Sequence, residues 1–379
     1  MINLFSGDFD VERIIQGLKI ESGVNIEPEN TLIIFDEVQE TPKALTALKY
    51  FCENANQYHI VAAGSLLRVA MHEGISFPVG KVDFLDLYPL NFKEFLGALS
   101  EDDLVNLIEQ NDINLINVFS DKLKNYLKQY LYIGGMPEVV ETYVSTKDFK
   151  KVRERQEILL AAYEQDFSKH APNNIVPRIR QLWNNIPTQL AKENKKFIYG
   201  LIKQGARARE YEIALSWLID CGLVYQVNRV NACKVPLSAY QNFNAFKLYM
   251  LDVGLLCAMA KLDAISIIEG NDIFVEFKGA LSEQYVLTEL KTSIESPIFY
   301  WSADKGTAEV DFIIQLGINN IPIEVKFNEN LQAKSLKSFI QRYGTKINVR
   351  TSMSNYEKQE NFVNIPLYLI SNIEKITFP

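Results

Sequence analysis

Residues 32–39 read LIIFDEVQ, four apolar side chains followed at once by Asp36 and Glu37. An unbroken apolar run of this length predicts a buried strand. Downstream, Thr41-Pro42 is a turn with proline suited to the first helical position. Residues 43–53 (KALTALKYFCE) carry helical spacing, and 58–65 (YHIVAAGS) predict a second buried strand ending in small residues. Strand, helix, strand at this spacing predicts a right-handed parallel crossover, the unit of an α/β sheet. Upstream, 10–20 (DVERIIQGLKI) predict a short amphipathic helix. Downstream, Val82–Leu87 predict a further strand, and LYPLNFKEFL leads into a helix.

Ligands of parallel sheets sit beyond the carboxyl ends of the strands. Asp36 and Glu37 end one strand and Ser65 ends its neighbour. A strand ending in an acidic pair is the Walker B arrangement of nucleotide hydrolases, in which the aspartate helps hold Mg²⁺ and the glutamate polarises the attacking water. The alternative is a strand that merely exits into polar solvent. Phosphates are cradled in such enzymes by a Gly-x-x-x-x-Gly-Lys-[Ser/Thr] loop. None occurs in these residues: the only Gly-Lys pair, Gly80-Lys81, is followed by Val82 and has Ile75 where the first glycine belongs. The expectation is that this polypeptide alone neither binds nor hydrolyses ATP appreciably, because the main charge-neutralising cradle is missing.

Residues 31–96, through TLIIFDEVQETPKALTALKYF, HIVAAGSLL, FPVGKVDFLDLYPL and NFKEFL, resemble a family of bacterial and archaeal AAA-like ATPases. In that family a domain of unknown function follows the ATPase core, and the resemblance runs over nearly the whole chain. It implies ATP and Mg²⁺ as cofactors, with Asp36 as metal ligand, Glu37 as catalytic carboxylate and Ser65 as sensor. Lys81 stands where many members have arginine; it keeps the charge that would face a phosphate but not the planar fork. Read against the missing loop, the resemblance implies a start lying after that loop, or a partner polypeptide that carries it.

The middle of the chain is helical from about residue 101. Gly134-Gly135 and Pro137 predict a sharp corner between helices; 150–168, 178–192, 196–203 and 208–220 predict further helices, and 223–230 and 246–252 strands. A helix–turn–helix with a trailing hairpin is the outline of a winged helix. From Arg178 to Lys234 ten basic residues stand against four acidic ones, a local +6 in a chain of net charge −8. That pairing suggests contact with the DNA backbone, with Arg207 and Arg209 of GARARE at a helix start. The competing reading is solvated faces, or a winged helix that docks on protein.

The C-terminal third predicts a second α/β core: helix 276–292, strands 297–301, 308–316 and 321–327, helix 331–343 and strand 346–350. Within it, EVDFIIQLGINNIPIEVKF (309–327) puts Asp311 on one strand and Glu324-Val325-Lys326 on the next. Residues i and i+2 share a face of a strand, so Glu324 and Lys326 project together toward Asp311. Two carboxylates can hold Mg²⁺ while a lysine activates water for attack on a phosphodiester. With Glu283 on the preceding helix, the pattern resembles the core of the PD-(D/E)XK nucleases. The resemblance implies Glu283, Asp311 and Glu324 as metal ligands and Lys326 as the catalytic lysine. Two alternatives stand beside it: strands whose charges face water, and the same fold without cutting.

Composition bounds these readings. A chain of 379 residues, 47% hydrophobic and 23% charged, is expected to form two or three globular domains. The net charge of −8 argues against wholesale coating by nucleic acid. Four cysteines without a C-x-x-C pair suggest neither a zinc ribbon nor a disulfide framework, and His59, His72 and His170 lack metal-ligand spacing. No apolar run is long enough for a membrane helix and no export signal is visible, so the cytoplasm is expected. The organisation expected is a multidomain α/β chain. It has a partial P-loop-type sheet over 1–100, a helical lid region over 101–170, a winged-helix-like domain over 171–265 and a PD-(D/E)XK-like core over 266–379. Acting with nucleic acid as an AAA-like protein is the leading functional expectation. A Mg²⁺-dependent nuclease, or a non-catalytic module of a split ATPase, is the alternative.

Overall fold

A computed structural model describes residues 2–64, 67, 80–192, 195–268, 275–304, 308–327 and 334–378. The chain divides into two compact units, Met1–Leu87 with Ser216–Leu223, and Tyr88–Leu215 with Val224–Pro379.

In the first unit, α1 (Val11–Ser22) is capped by the Asp10 carboxylate, which accepts from the Arg13 N–H, and ends on Gly23 in the left-handed conformation. Strand β1 (Leu32–Phe35) is followed by α2 (Pro42–Asn54), with proline in its first turn, and by β2 (His59–Ala62). The two strands pair in parallel, Leu32 opposite His59 and Phe35 opposite Ala62, as the crossover predicts. Ile14 and Leu18 of α1, Leu45 and Phe51 of α2, and Ile33 and Phe35 of β1 share one core. The burial expected of LIIF holds for Ile33 and Phe35 only. Leu32 and Ile34 remain 56% and 60% exposed, because the described helices lie on the Ile33–Phe35 face only. The strand expected at Val82–Leu87 is absent; that segment is irregular, with Leu85 and Leu87 exposed.

The second unit opens with α3 (Phe92–Ala98), whose Asn91 and Glu94 form a reciprocal capping box. Helices α4 (Asp102–Gln110), α5 (Ile113–Val118), α6 (Ser120–Ile133), α7 (Pro137–Thr146), α8 (Phe149–His170) and α9 (Val176–Leu190) follow. The predicted corner falls between α6 and α7. Gly134 there has φ +78°, and a Cβ on Gly135 would lie 2.0 Å from the Leu90 carbonyl oxygen. The helix expected over 196–203 is only a 3-10 turn at Tyr199–Leu201, preceded by extended chain in which Phe197 N–H bonds to Phe246 O.

Then come α10 (Ala208–Asp220), β3 (Val224–Val230), β4 (Gln241–Met250), α11 (Val253–Met259), α12 (Ala264–Ile268) and α13 (Val275–Ser293). The chain closes with β5 (Phe299–Ser302), β6 (Glu309–Leu316), β7 (Asn319–Val325), α14 (Lys334–Tyr343), β8 (Val349–Ser352), β9 (Glu357–Lys358), β10 (Val363–Pro366) and α15 (Ile373–Thr377). Eight of these described strands form one sheet in the order β4-β3-β5-β6-β7-β8-β10-β9. The β5-β6-β7 meander is antiparallel, and β8 joins β7 in parallel through α14. The expected boundary at 265/266 falls inside this sheet. The β3–β4 hairpin read as trailing the helix–turn–helix joins the C-terminal strands, since β3 pairs in parallel with β5 at Asn228–Phe299. No helix among the described residues is long and apolar enough to cross a membrane.

Candidate functional site

At the carboxyl tips of the parallel pair the ladder continues past the strands. Ala63 N–H donates to Phe35 O at 2.8 Å and Val38 N–H to Ala63 O at 3.0 Å. With both flanks tied to Ala63, Asp36 and Glu37 are pushed outward together, and Glu37 takes a left-handed φ of 49°. Both carboxylates are solvent-exposed. Asp36 Oδ1 accepts from the Glu37 N–H at 3.0 Å. Gln39, which closes the LIIFDEVQ stretch, donates its side-chain amide to Glu37 Oε2 and so fixes where that carboxylate points. Gln39 is itself held against Gly64, where a Cβ would meet its Oε1 at 2.2 Å.

Ser65, expected as the sensor, lies outside the described residues. Lys81 does not join the tips. Its ammonium is 3.2 Å from Glu53 Oε1, in the last turn of α2, whereas Asp36 precedes the first turn. A helix of thirteen residues separates those ends by about 20 Å. Asp36 and Glu37 thus fit the carboxylate half of a magnesium–nucleotide site, and a backbone cradle for phosphate is not formed by the described residues.

In the second unit the structure does bring the expected acidic residues and Lys326 into one cluster, with company the sequence did not announce. Asp311 and Glu324 face each other across β6 and β7, and Asp311 Oδ2 accepts from the Val325 N–H at 2.8 Å. Lys326 Nζ lies 3.1 Å from Glu324 Oε1, while Glu324 Oε2 is buried without a hydrogen-bond donor. Glu283 of α13 is buried; it pairs through one oxygen with Lys195 and accepts on the other from Tyr249 OH at 2.9 Å. Lys247 of β4 is fully buried, 3.4 Å from Glu283 Oε2, in a closer pair with Glu309 and 4.0 Å from Asp311 Oδ1.

Burial sets the electrostatics of this cluster and the ion pairs redirect it. Burial alone would raise the Glu283 pKa, but the ammoniums of Lys195 and Lys247 pull it well below the usual carboxylate range. Asp311 goes the other way, pushed up by burial and by the Glu283 charge. Burial would depress Lys247, and its carboxylate neighbours hold it charged instead. The donor set does not fit a divalent cation as it stands. Among the described residues no three His, Cys, Asp or Glu are placed to hold one, and the carboxylates are already met by lysines.

Arg207 and Arg209 sit exposed at the start of α10. Two members of the basic count are spent internally, Lys195 on Glu283 and Arg229 on Asp304, which weakens the +6 as an outward field. Sequence reasoning missed Gln39, Lys195, Lys247, Tyr249 and Glu309. A signal for Lys247 was present: in AFKLYM, a lone lysine stands inside an apolar strand two residues from Tyr249, on the same face.

Comparison with known families agrees with the N-terminal geometry. Residues 3–96 match the family described as AAA domain, 124–266 a domain of unknown function (DUF8612) and 278–370 another (DUF4143). The N-terminal stretch is therefore AAA-like, and a domain of unknown function follows it as the resemblance implied. The last two matches meet within one sheet, β3 and β4 in the first and β5 to β10 in the second. No curated protein matches the chain. A solved structure, the Walker-type ATPase PABY2304 of Pyrococcus abyssi, aligns at 14% identity and a TM-score of 0.40, covering 67% of this chain and 68% of that one.

Proposed function

We propose that the chain contributes the carboxylate half of an AAA-type nucleotide site and depends on a phosphate-binding loop from outside these residues. The observation that carries this reading is the parallel β1–β2 pair with Asp36 and Glu37 displaced at its carboxyl tips, in a stretch that matches an AAA domain. ATP with Mg²⁺ is the cofactor this chemistry takes. Asp36 would hold the metal, and Glu37, oriented by Gln39, would take the proton of the attacking water. A polypeptide bearing Gly-x-x-x-x-Gly-Lys-[Ser/Thr] is the partner it calls for. The second unit is read as a PD-(D/E)XK-like fold that binds rather than cuts. The exposed Arg207 and Arg209 are its candidates for a DNA backbone.

The test uses the purified chain. Thermal unfolding with Mg²⁺ and a non-hydrolysable ATP analogue is expected to match that without, and ATP turnover to be at background. Adding a polypeptide that carries the loop is expected to restore turnover, and Glu37→Gln to remove it. Robust turnover by the chain alone, lost in Glu37→Gln, would overturn the reading. For DNA, an Arg207→Ala/Arg209→Ala variant is expected to weaken duplex binding and flatten its salt dependence. A chain with no duplex affinity at low salt ends that part of the proposal.

A further inference from the structure

Three carboxylates converge on one point where β4 and β6 run beside α13, and that point holds an ammonium. Lys247 Nζ lies 3.4 Å from Glu283 Oε2 and 4.0 Å from Asp311 Oδ1, and it pairs still more closely with Glu309. Its side chain has no exposed surface, and the Tyr300 ring, centred 5.0 Å away, closes another side. A lysine ammonium carries donors and no acceptor; it donates to Glu283 and pairs closely with Glu309, while Asp311 at 4.0 Å faces its charge without a hydrogen bond. Mg²⁺ and its congeners need near-octahedral oxygens at about 2.1 Å and retain several waters. A buried ammonium already seated among those oxygens leaves room for neither. Lys195 neutralises the outer oxygen of Glu283 in the same way.

We propose that Lys247 is a built-in cation, standing where a divalent metal would otherwise neutralise Glu283, Asp311 and Glu309, so that the second unit folds and balances its charge without metal. The proposal rests on reading residues 266–379 as a PD-(D/E)XK-like fold, and it says why such a fold would not cut. It also makes a positive demand. Taking the ammonium away exposes an anionic cage, and that cage should then accept a divalent ion.

Mn²⁺ is the probe, titrated into the full chain with free ion read by electron paramagnetic resonance and thermal unfolding followed in parallel. The wild-type chain is expected to bind no Mn²⁺ at Glu283 and to show no melting shift between chelator and millimolar Mn²⁺. Lys247→Met is expected to melt several degrees lower in chelator and to recover with Mn²⁺, binding it at least about tenfold more tightly than wild type. A second change, Glu283→Gln, should abolish the gain. Should Lys247→Met fail to fold, Glu309→Gln keeps the lysine and must remain indifferent to Mn²⁺. Wild-type or Glu309→Gln protein that binds Mn²⁺ through Glu283 overturns the built-in cation and leaves the nuclease-like fold standing. A folded Lys247→Met that gains no Mn²⁺ overturns both.

Discussion

Glu289, near the C-terminal end of α13, accepts a hydrogen bond from the backbone N–H of Phe92 at 2.8 Å, across 197 positions of sequence. Phe92 opens α3, so within the second unit a buried carboxylate of α13 ties down the start of α3. Burial pushes the Glu289 pKa up to about 7, with the Phe92 N–H and Lys93 opposing. The folded value exceeds the unfolded one, so the native state keeps the proton longer. Stability from this group is complete below about pH 4.5 and is lost as pH rises to about 7. The loss amounts to about 3 kcal/mol. Glu289→Gln keeps the acceptor and removes the titration. It is expected to unfold like wild type near pH 4 and at higher denaturant than wild type at pH 8. Equal midpoints at pH 8 would refute the assignment.

The corner between α6 and α7 is fixed by contacts too close for any side chain. Gly135 N–H donates to Asp252 Oδ2 at 2.7 Å, Leu90 N–H donates to Gly135 O at 2.8 Å, and a Cβ on Gly135 would reach 2.0 Å from Leu90 O. That neighbour is backbone and cannot swing aside. Gly135→Ala is expected to cost about 3 kcal/mol in chemical unfolding, while Gly97→Ala, with open space around its Cβ, should cost nothing or stabilise.

Arg350 on β8 is fully buried, and its Nε donates to Asn364 Oδ1 of β10 at 2.8 Å. The same oxygen accepts from Ser352 Oγ at 2.8 Å, and the Asn364 amide donates to Asn355 O at 2.9 Å. One side chain thus satisfies two buried donors and ties the loop before β9 to the strand. Asn364→Ala removes the acceptor that those donors share and is expected to cost about 3 kcal/mol. Urea denaturation would measure it, and a change under about 0.5 kcal/mol would mean the donors find other acceptors.

How far the sequence could be read depended on the pattern that each residue stood in. Strand–helix–strand spacing around LIIFDEVQ gave the parallel pairing directly, because only one crossover hand is accessible. The period of two in EVDFII and IPIEVKF placed Asp311, Glu324 and Lys326 on one face, where they are found. The lone lysine in AFKLYM marked Lys247 as unusual, but its partners lie 36 to 64 positions downstream, and no local pattern names an ion pair of that separation. The place of the β3–β4 hairpin in the larger sheet was illegible for a related reason. Strand periodicity says which residues pair along a hairpin, but not that β3 also meets β5 on its other edge. Lys81 was assigned from a local Gly-Lys pair, whereas its ion-pair partner, Glu53, stands at the far end of α2.

The apolar run in β1 makes the last prediction, because its four residues look alike in sequence and divide sharply in space. Ile33 and Phe35 are 8% exposed and belong to the core with α1 and α2, whereas Leu32 and Ile34 are 56% and 60% exposed. Parallel sheets are ordinarily covered on both faces; here coverage by the described helices is one-sided. Burial, not hydrophobicity, decides the cost of a change, so Ile33→Ala should destabilise by about 3 kcal/mol. Ile34→Lys puts an ammonium into water and should stay within about 0.5 kcal/mol of wild type. If Ile34→Lys cost as much as Ile33→Ala in the isolated chain, the strand would have to be covered on both faces. If both variants were tolerated, the packing of β1 on the two helices would itself be in error.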